Sequence, residues 1–422
     1  MTLTMSVTTP LPTPHRSLCT DCGISRTASP ERCAQACQFI QPDHERAEQL
    51  VHGRVRQADS DERFFGPYQA IWRGKMRTPL AGAQWTGITT ELARALLTQG
   101  QVDAVITVAP DPADRWRPVP VVVTDPDELI RCRGMRMGFA PLLSLVEPAL
   151  ARGLKRLAVI AIPCQVYPLR MLEPLWRSEH GLESLHVIGT PCSDNTTTER
   201  FHEFLALIAP DPKAVTYLEF RPDYKVELRD DQGQVRTIPF LNLPLSRLPE
   251  DFFPVTCRTC VDYTNSLADI TVGYMGGSGH QWILVRNAKG QSMLDSLGDR
   301  VVLTPPLSAG QRQAAVKGFL NNTLRAAGGL PLRRTPAWLR PLVNWLMPKI
   351  GPRGLEFARA RVEMKAIESV VHLRRSHSAR VKHMIPHHVW QLVQPYGLTR
   401  QPDESTHTDP RRNALDRPKE SS

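Results

Sequence analysis

No apolar run in this 422-residue chain approaches the roughly 20 residues needed to cross a bilayer, so any membrane contact is expected to be peripheral. The opening stretch, Met1 to Arg16, lacks the basic start and apolar middle of a secretory signal. The expected setting is reducing, and disulfides are not expected. No internal repeat is present. No RNA- or DNA-binding motif accompanies the net charge of +10, which argues against nucleic acid as a partner. Apolar residues are not short: 41% of the chain is hydrophobic, enough to fill an enzyme-sized core in two or three domains.

Against these absences cysteine stands out. Eight of the nine fall into pairs: Cys19 with Cys22, Cys33 with Cys37, Cys164 with Cys192, and Cys257 with Cys260. Two sets of four thiols match the ligand demand of two iron–sulfur clusters. Cys-x-x-Cys pairs are as typical of a zinc ribbon, so spacing alone leaves cluster and zinc level. Placement adds information. "LAVIAI" (Leu157 to Ile162) and "LHVIG" (Leu185 to Gly189) read as buried strands separated by a helix around Val166 to Trp176, a crossover that makes them parallel. Cys164 follows the first strand and Cys192 the second. Parallel strands share a carboxyl edge, so both thiols are predicted on the side where α/β proteins bind cofactors. Cys257 and Cys260 could complete that tetrad.

The expected fold is mixed α/β: a central mixed sheet flanked by helices, an N-terminal iron–sulfur segment and a helical, basic C-terminal extension. Residues 1–17, rich in Thr, Pro and Ser, are expected to be disordered, as is the tail 402–422. Residues 18–66 form the N-terminal segment, whose cysteine-rich part, Leu18 to Ile40, has too few apolar residues to hold itself together without a metal. Residues 67–304 form the main domain. In it "GITTELARALLTQG" (Gly87 to Gly100) has helical spacing and "VDAVITVA" (Val102 to Ala109) reads as a strand. Val215 to Arg221, Tyr224 to Asp230 and Gln234 to Phe240 read as an antiparallel run. Residues 305–401 form the C-terminal region. Between Pro331 and Trp390 twelve Lys and Arg face three acidic residues, a patch that attracts acidic proteins or anionic lipids.

"CTDCG" (Cys19 to Gly23), "GAQWTG" (Gly82 to Gly87), "PCQVYPLR" (Pro163 to Arg170), "GTPCSDN" (Gly189 to Asn195), "CRTCVDYTNSLADITVGYMG" (Cys257 to Gly276) and "GPRGLEFAR" (Gly351 to Arg359) together resemble a flavin and iron–sulfur family. That family includes the beta subunit of deazaflavin-reducing hydrogenases, and the resemblance is greatest to its branch acting on chlorophyll precursors. It implies FAD and two 4Fe-4S clusters, fed by reduced ferredoxin. Cys19, Cys22, Cys33 and Cys37 would hold one cluster; Cys164, Cys192, Cys257 and Cys260 the other. Many relatives carry a further cysteine where this chain has Ser25, so Cys37 supplies the fourth ligand here. Cys132 is left over and reads as a small core residue. The implied reaction is reduction of the 8-vinyl group of 3,8-divinyl chlorophyllide a, or its protochlorophyllide relative, to ethyl. Reduction of 7-hydroxymethyl chlorophyll a is the alternative, and a zinc-stabilised, non-catalytic binding protein is the rival of another class. The implied setting is the cytoplasm or the thylakoid periphery of a cyanobacterium.

For FAD the candidates are Gly82, Gln84, Trp85, Thr86 and Gly87, which lead into a helix whose N-terminal amides could receive a phosphate; plain capping is the bland alternative. Arg133, in "RCRGMR", is a candidate contact to pyrophosphate. Gly273, Tyr274, Met275 and Gly276 follow a strand and could admit the cofactor closely, or form a simple hairpin. Asp262, Asp269 and His280 are candidate proton donors, each with a turn, cap or loop role as its alternative. "TPAWLRPLVNWLMPKIG" (Thr335 to Gly351) could wall a pigment site, rest on a thylakoid surface or pack as an ordinary helix. Arg374, Arg375 and Arg380 could steer acidic ferredoxin.

Overall fold

The computed structural model describes residues 3–4, 18–221, 223–273, 279–326 and 335–404. Its strands are β1 (Leu3–Thr4), β2 (Ala70–Met76), β3 (Ala104–Pro110), β4 (Pro118–Val123), β5 (Arg156–Ala161), β6 (Ser184–Gly189), β7 (Val215–Phe220), β8 (Lys225–Asp230), β9 (Val235–Pro239), β10 (Ile270–Gly273), β11 (Gln281–Val285) and β12 (Val301–Thr304), with a two-residue pair, Ser308–Ala309 and Arg353–Gly354. Nine of them form one sheet in the order β1-β4-β3-β5-β6-β10-β11-β2-β12. The centre, β3-β5-β6-β10, is parallel and both flanks are antiparallel, so the sheet is mixed as expected.

Alternation along the central strands explains why both faces are covered. Ala104, Ile106, Leu157 and Val159 point into a core shared with Val166, Tyr167, Leu169 and Trp176 of helix Pro163–His180. Val105, Ala158 and Ile188 point the other way, onto Ile88, Leu92 and Leu96 of helix Ile88–Thr98 and Met293 and Leu294 of helix Ala288–Asp295. Each fully buried aliphatic side chain contributes about 1.5–3 kcal/mol before entropy is counted. β2 and β4 join these strands although the sequence reading did not anticipate them. β4 carries Pro118 and Pro120 yet pairs with β3 along its whole length.

The two ends of the chain fold onto this body. Ile24, Ala36 and Ala47 of the cysteine-rich segment are buried in the helix Pro163–His180 core. Helix Leu355–Ser376 is a central element rather than an outlying extension. Its Ala358, Ala366, Ile367 and Val370 share a core with Leu18, Phe39, Phe65, Trp282 and Leu284. Of the segments expected to be disordered, Leu3–Thr4 pairs with β4, and Pro402–Glu404 forms a 3-10 turn whose Glu404 pairs with Arg374 at 2.7 Å. The remainder of both lies outside the described residues.

β7, β8 and β9 form a separate antiparallel sheet in the predicted place. A register shift between Val215 and Tyr217 lets Val215 and Leu218 face the same core as Val226, Leu228, Phe201 and Phe252. Tyr217, Glu219 and Arg221, with Glu227 and Arg229 from the neighbouring strand, line the cleft on the opposite side.

Candidate functional site

All nine cysteines are free thiols. Cys164 sits in the first turn of helix Pro163–His180, directly after β5, and Cys192 directly after β6. Because β5 and β6 are parallel neighbours, both emerge at one sheet edge. Cys257, in the short helix Val255–Arg258, and Cys260 just beyond it meet them: all four line a single cavity with Ile162, Asp194 and Thr256. Burial pushes the Cys257 thiol up to about 12 and Cys260 to about 11, and those of Cys164 and Cys192 well above the usual range. A buried thiol ionises only against positive charge, which a metal centre supplies.

The other four thiols are also mutual neighbours. Burial raises Cys22 most, and Cys37, Cys33 and Cys19 each raise it further; Cys37 itself is pushed up to about 12. Cys19 and Cys22 flank the turn before the 3-10 helix Ile24–Arg26, where Asp21 takes a positive φ and pairs with Arg26. Cys33 and Cys37 span helix Arg32–Ala36. Among the described residues, no group of three or more His, Cys, Asp and Glu side chains is drawn in to hold a metal ion. The donor sets are nonetheless all sulfur, four and four, which suits zinc or an iron–sulfur cluster rather than a hard cation.

The two sets touch, which the sequence reading did not foresee. Thr20, next to Cys19, bonds through its side chain to Cys164, and Gln38, next to Cys37, donates to Cys260 Sγ at 3.8 Å. Thr20 and Phe39 also wall the cavity of the second set. Behind it lies Lys365, buried in helix Leu355–Ser376 and paired with Asp194 at 2.6 Å and Glu368 at 3.0 Å. Its charge acts on Cys192, Cys257 and Cys260 in the direction that favours thiolate. Cys132 stands apart, packed against the apolar core.

A second cleft, of about 410 Å³, opens beside the turn before helix Ile88–Thr98. Gly82, Trp85 and Thr86 line it on one side and the β7–β8 face on the other. The turn needs its glycines: Gly82 and Gly87 have φ of +73° and +86°, and a Cβ on Gly82 would lie 2.8 Å from the Arg133 guanidinium. Gln84 Nε2 ties the turn to β7 by donating to the Leu218 carbonyl at 3.1 Å. Thr86 Oγ1 accepts from the Met76 amide, and the Ile88 amide donates to Gln281, so that first helical amide is already satisfied. A glycine turn with a guanidinium against it suits the anionic part of a ligand, and the cleft beside it is mixed in charge, with Arg221 paired to Asp223 and Glu227 and Arg229 to Glu227. Gly273 closes the end of β10, where a Cβ would strike the Pro191 ring beside Cys192. Tyr274, Met275 and Gly276 lie outside the described residues.

The proton-donor candidates have other work. Asp262 accepts from the Ser266 amide and hydroxyl at 2.9 to 3.0 Å, a turn lock. Asp269 is 2% exposed and accepts from the Val187 amide at 2.8 Å and Asn287 at 2.9 Å, with Arg170 2.8 Å away. Burial would raise its pKa, but Arg170 and these donors outweigh it and hold the carboxylate ionised, so it has no proton to give. His280 is half-buried next to Gly279, which lines the cleft. Of the steering arginines, Arg374 pairs with Glu404, Arg375 donates to the Leu324 carbonyl and Arg380 to that of Phe39. Helix Arg340–Ile350 buries no residue: Trp338, just before it, is 80% exposed and Trp345 58%, with Lys349 over the Trp345 ring at 3.3 Å.

Comparison with known proteins bears on this arrangement. Residues 71–147 match the family model "Coenzyme F420 hydrogenase/dehydrogenase, beta subunit N-term" and residues 154–306 that of the same subunit's C terminus, together spanning β2 to β12. The 7-hydroxymethyl chlorophyll a reductase of Oryza sativa subsp. japonica is 36% identical over 401 residues, 91% of this chain and 83% of the relative. The chain belongs to the coenzyme F420 hydrogenase/dehydrogenase beta-subunit family. Within that family, an uncharacterized protein of Nostoc sp. is 35% identical over 387 residues, 91% of this chain and 95% of the relative. In solved structures, a chain of the F420-reducing [NiFe] hydrogenase complex from Methanosarcina barkeri shares the fold, with a TM-score of 0.51 at 22% identity over 57% of this chain and 84% of that one.

Proposed function

We propose that this family member is an oxidoreductase of chlorophyll-type pigments, reducing the 8-vinyl group of 3,8-divinyl (proto)chlorophyllide a to ethyl at the expense of reduced ferredoxin, with FAD and two 4Fe-4S clusters. The observation that carries the reading is the pair of four-thiol sets joined through Thr20 and Gln38 in a chain that also holds a glycine-cradled cleft. Cys19, Cys22, Cys33 and Cys37 would hold one cluster and Cys164, Cys192, Cys257 and Cys260 the other. The turn Gly82–Gly87, with Arg133, would seat the flavin. A bound flavin supplies the means of turning single electrons into a hydride. The chain's own part is to hold the redox groups close together, to set the second thiol set in a cavity walled by Phe39 and Phe139, and to offer the 410 Å³ cleft beside the Gly82–Gly87 turn as the place where substrate would meet the flavin. No described helix is long and apolar enough to cross a membrane. The exposed Trp338, Trp345 and Lys349 would suit peripheral thylakoid contact.

A second reading, reduction of 7-hydroxymethyl chlorophyll a, is favoured by the rice relative. The short stretch between "GYMGG" (Gly273 to Gly277) and "WILVRN" (Trp282 to Asn287) is what the family resemblance offers for the vinyl reaction. Anaerobically purified protein should carry about eight iron per chain with acid-labile sulfide, and release FAD on denaturation. Given reduced ferredoxin, it should convert the divinyl pigment to its 8-ethyl product. Turnover of the hydroxymethyl pigment alone would replace the first reading by the second. A colourless, zinc-loaded protein would sink both and favour a non-catalytic binding role.

A further inference from the structure

The cleft facing the Gly82–Thr86 turn is lined by three carboxylates, Glu219, Asp223 and Glu227, and two of them stand directly opposite one another. Glu219 of β7 and Glu227 of β8 are direct cross-strand partners in register. Both line the cleft, and like charges directly opposite are unfavourable unless the environment separates them. It does. Glu227 is clamped between Arg221 Nη1 at 2.6 Å and Arg229 Nη2 at 2.7 Å. Glu219 forms no ion pair among the described residues; its partner is the Tyr217 hydroxyl, which donates to it. Arg229 is committed further, its guanidinium lying 4.4 Å from the Tyr217 ring centre. Across the cleft, the Pro79–Thr86 turn brings no titratable group, so among the described residues the titratable groups that line the cleft with Glu219 are Tyr217, Glu227, Arg221, Arg229 and Asp223.

We propose that Glu219, held by Tyr217, is the acid that delivers the proton completing reduction of the substrate in this cleft. The proposal rests on the reading of the chain as a pigment reductase. A reduced flavin held at the Gly82–Gly87 turn would supply the hydride for a C–H bond at one vinyl carbon as the π bond breaks. Its electron pair takes the Glu219 proton at the other carbon. The carboxylate left behind is reprotonated by water through the open side of the cleft. With a hydroxymethyl substrate the same proton would go to the departing hydroxyl, which leaves as water.

The two glutamates are pushed apart as an acid and a fixed anion require. Burial raises Glu219 above its ordinary value, against the lowering effect of the Tyr217 hydrogen bond, and the charge of Glu227 raises it further, while Arg221 and Arg229 overcome burial and hold Glu227 below its own. Tyr217 is a positioning residue. Glu227, ionised opposite, sets the proton affinity of its neighbour.

The test uses the cofactor-loaded chain as wild type, Glu219→Gln, Glu219→Asp, Tyr217→Phe and Glu227→Gln. Infrared difference titration should show a carboxyl with a midpoint above the ordinary glutamate value of about 4.3. That band should be missing in Glu219→Gln, and its midpoint should move down in Glu227→Gln. Single-turnover reduction of divinyl pigment should slow by about 10²–10⁴-fold in Glu219→Gln and partly recover in Glu219→Asp. Flavin content, iron content and pigment affinity by fluorescence quenching should stay near wild type. Tyr217→Phe should shift the pH profile more than the pigment affinity. A Glu219 midpoint at or below the ordinary value, or a Glu219→Gln rate within about threefold of wild type, overturns the proposal. If the wild type reduces neither pigment, the functional reading falls, while the infrared midpoint still upholds or overturns the acid.

Discussion

Replacing Asp269 by Asn separates a structural role from a chemical one at a residue whose sequence context invites either. Asp269 and Arg170 form an ion pair with both side chains 3% exposed, joining the start of β10 to the helix that carries Cys164. Asn keeps the shape and removes the charge. Its amide group then meets the Val187 N–H or the Arg170 guanidinium, donor against donor, and Arg170 retains only Glu173 at 2.9 Å and the Leu267 carbonyl. Breaking a buried pair by removing one partner costs about 3–5 kcal/mol. For a chain of 422 residues unfolding as one unit, at about 2.1 cal/mol/K per residue, that lowers Tm by about 3–6 °C. The pH dependence has a definite sign. The folded pKa of Asp269 is depressed, so its contribution is complete above the unfolded value of about 3.9 and is lost as pH falls through the lower folded value. Wild type and variant should therefore differ fully at neutral pH and converge below about pH 4. Differential scanning fluorimetry across that range is the assay, with pigment turnover per folded molecule measured beside it. A Tm within about 1 °C of wild type at neutral pH, or turnover lost while Tm is unchanged, would refute the reasoning.

Cys257→Ala should reduce iron from about eight to about four per chain and abolish ferredoxin-driven turnover, whereas Cys132→Ala should leave the iron count unchanged; elemental analysis decides. Gly273→Ala drives a methyl into the Pro191 ring and should cost about 1–3 kcal/mol, read as a lowered thermal midpoint. Burial holds His44 and His52 near 4 and His388 well below its usual value. These imidazoles charge more readily once unfolded, so stability should be level above about pH 6.5 and fall toward pH 4. His52 alone would account for on the order of 3 kcal/mol of that loss. A flat Tm profile across the window would count against buried, neutral histidines.

Much of the scaffold was legible because it depends on local pattern. The apolar runs at Val105, Val159 and Val187 mark strands buried on two faces, and the strand–helix–strand spacing fixes Cys164 and Cys192 to one edge because a crossover of that length makes the strands parallel. The glycines at 82 and 87 were readable as a turn because only a residue without a Cβ takes those angles cheaply. β4 was not readable, since two prolines argue against a strand until the pairing geometry shows their missing donors are tolerated. Likewise the basic count in the C-terminal segment pointed to a solvated surface, yet Lys365 within it is buried among carboxylates and thiols.

Glu219 had one faint signal, the alternation of Leu218, Val226 and Leu228 with polar neighbours, which showed a two-faced strand and not what its polar face would meet. By itself the sequence determined the number and chemistry of the thiols, the strands that present two of them and the glycine turn before helix Ile88–Thr98, because each follows from residue type and short-range geometry. Only the tertiary structure decided which thiols are neighbours, that Thr20 and Gln38 join the two sets, and that two opposed glutamates meet different partners, one a tyrosine hydroxyl and the other two guanidiniums. Those outcomes depend on contacts between segments as much as 222 residues apart, and on the burial that such contacts create.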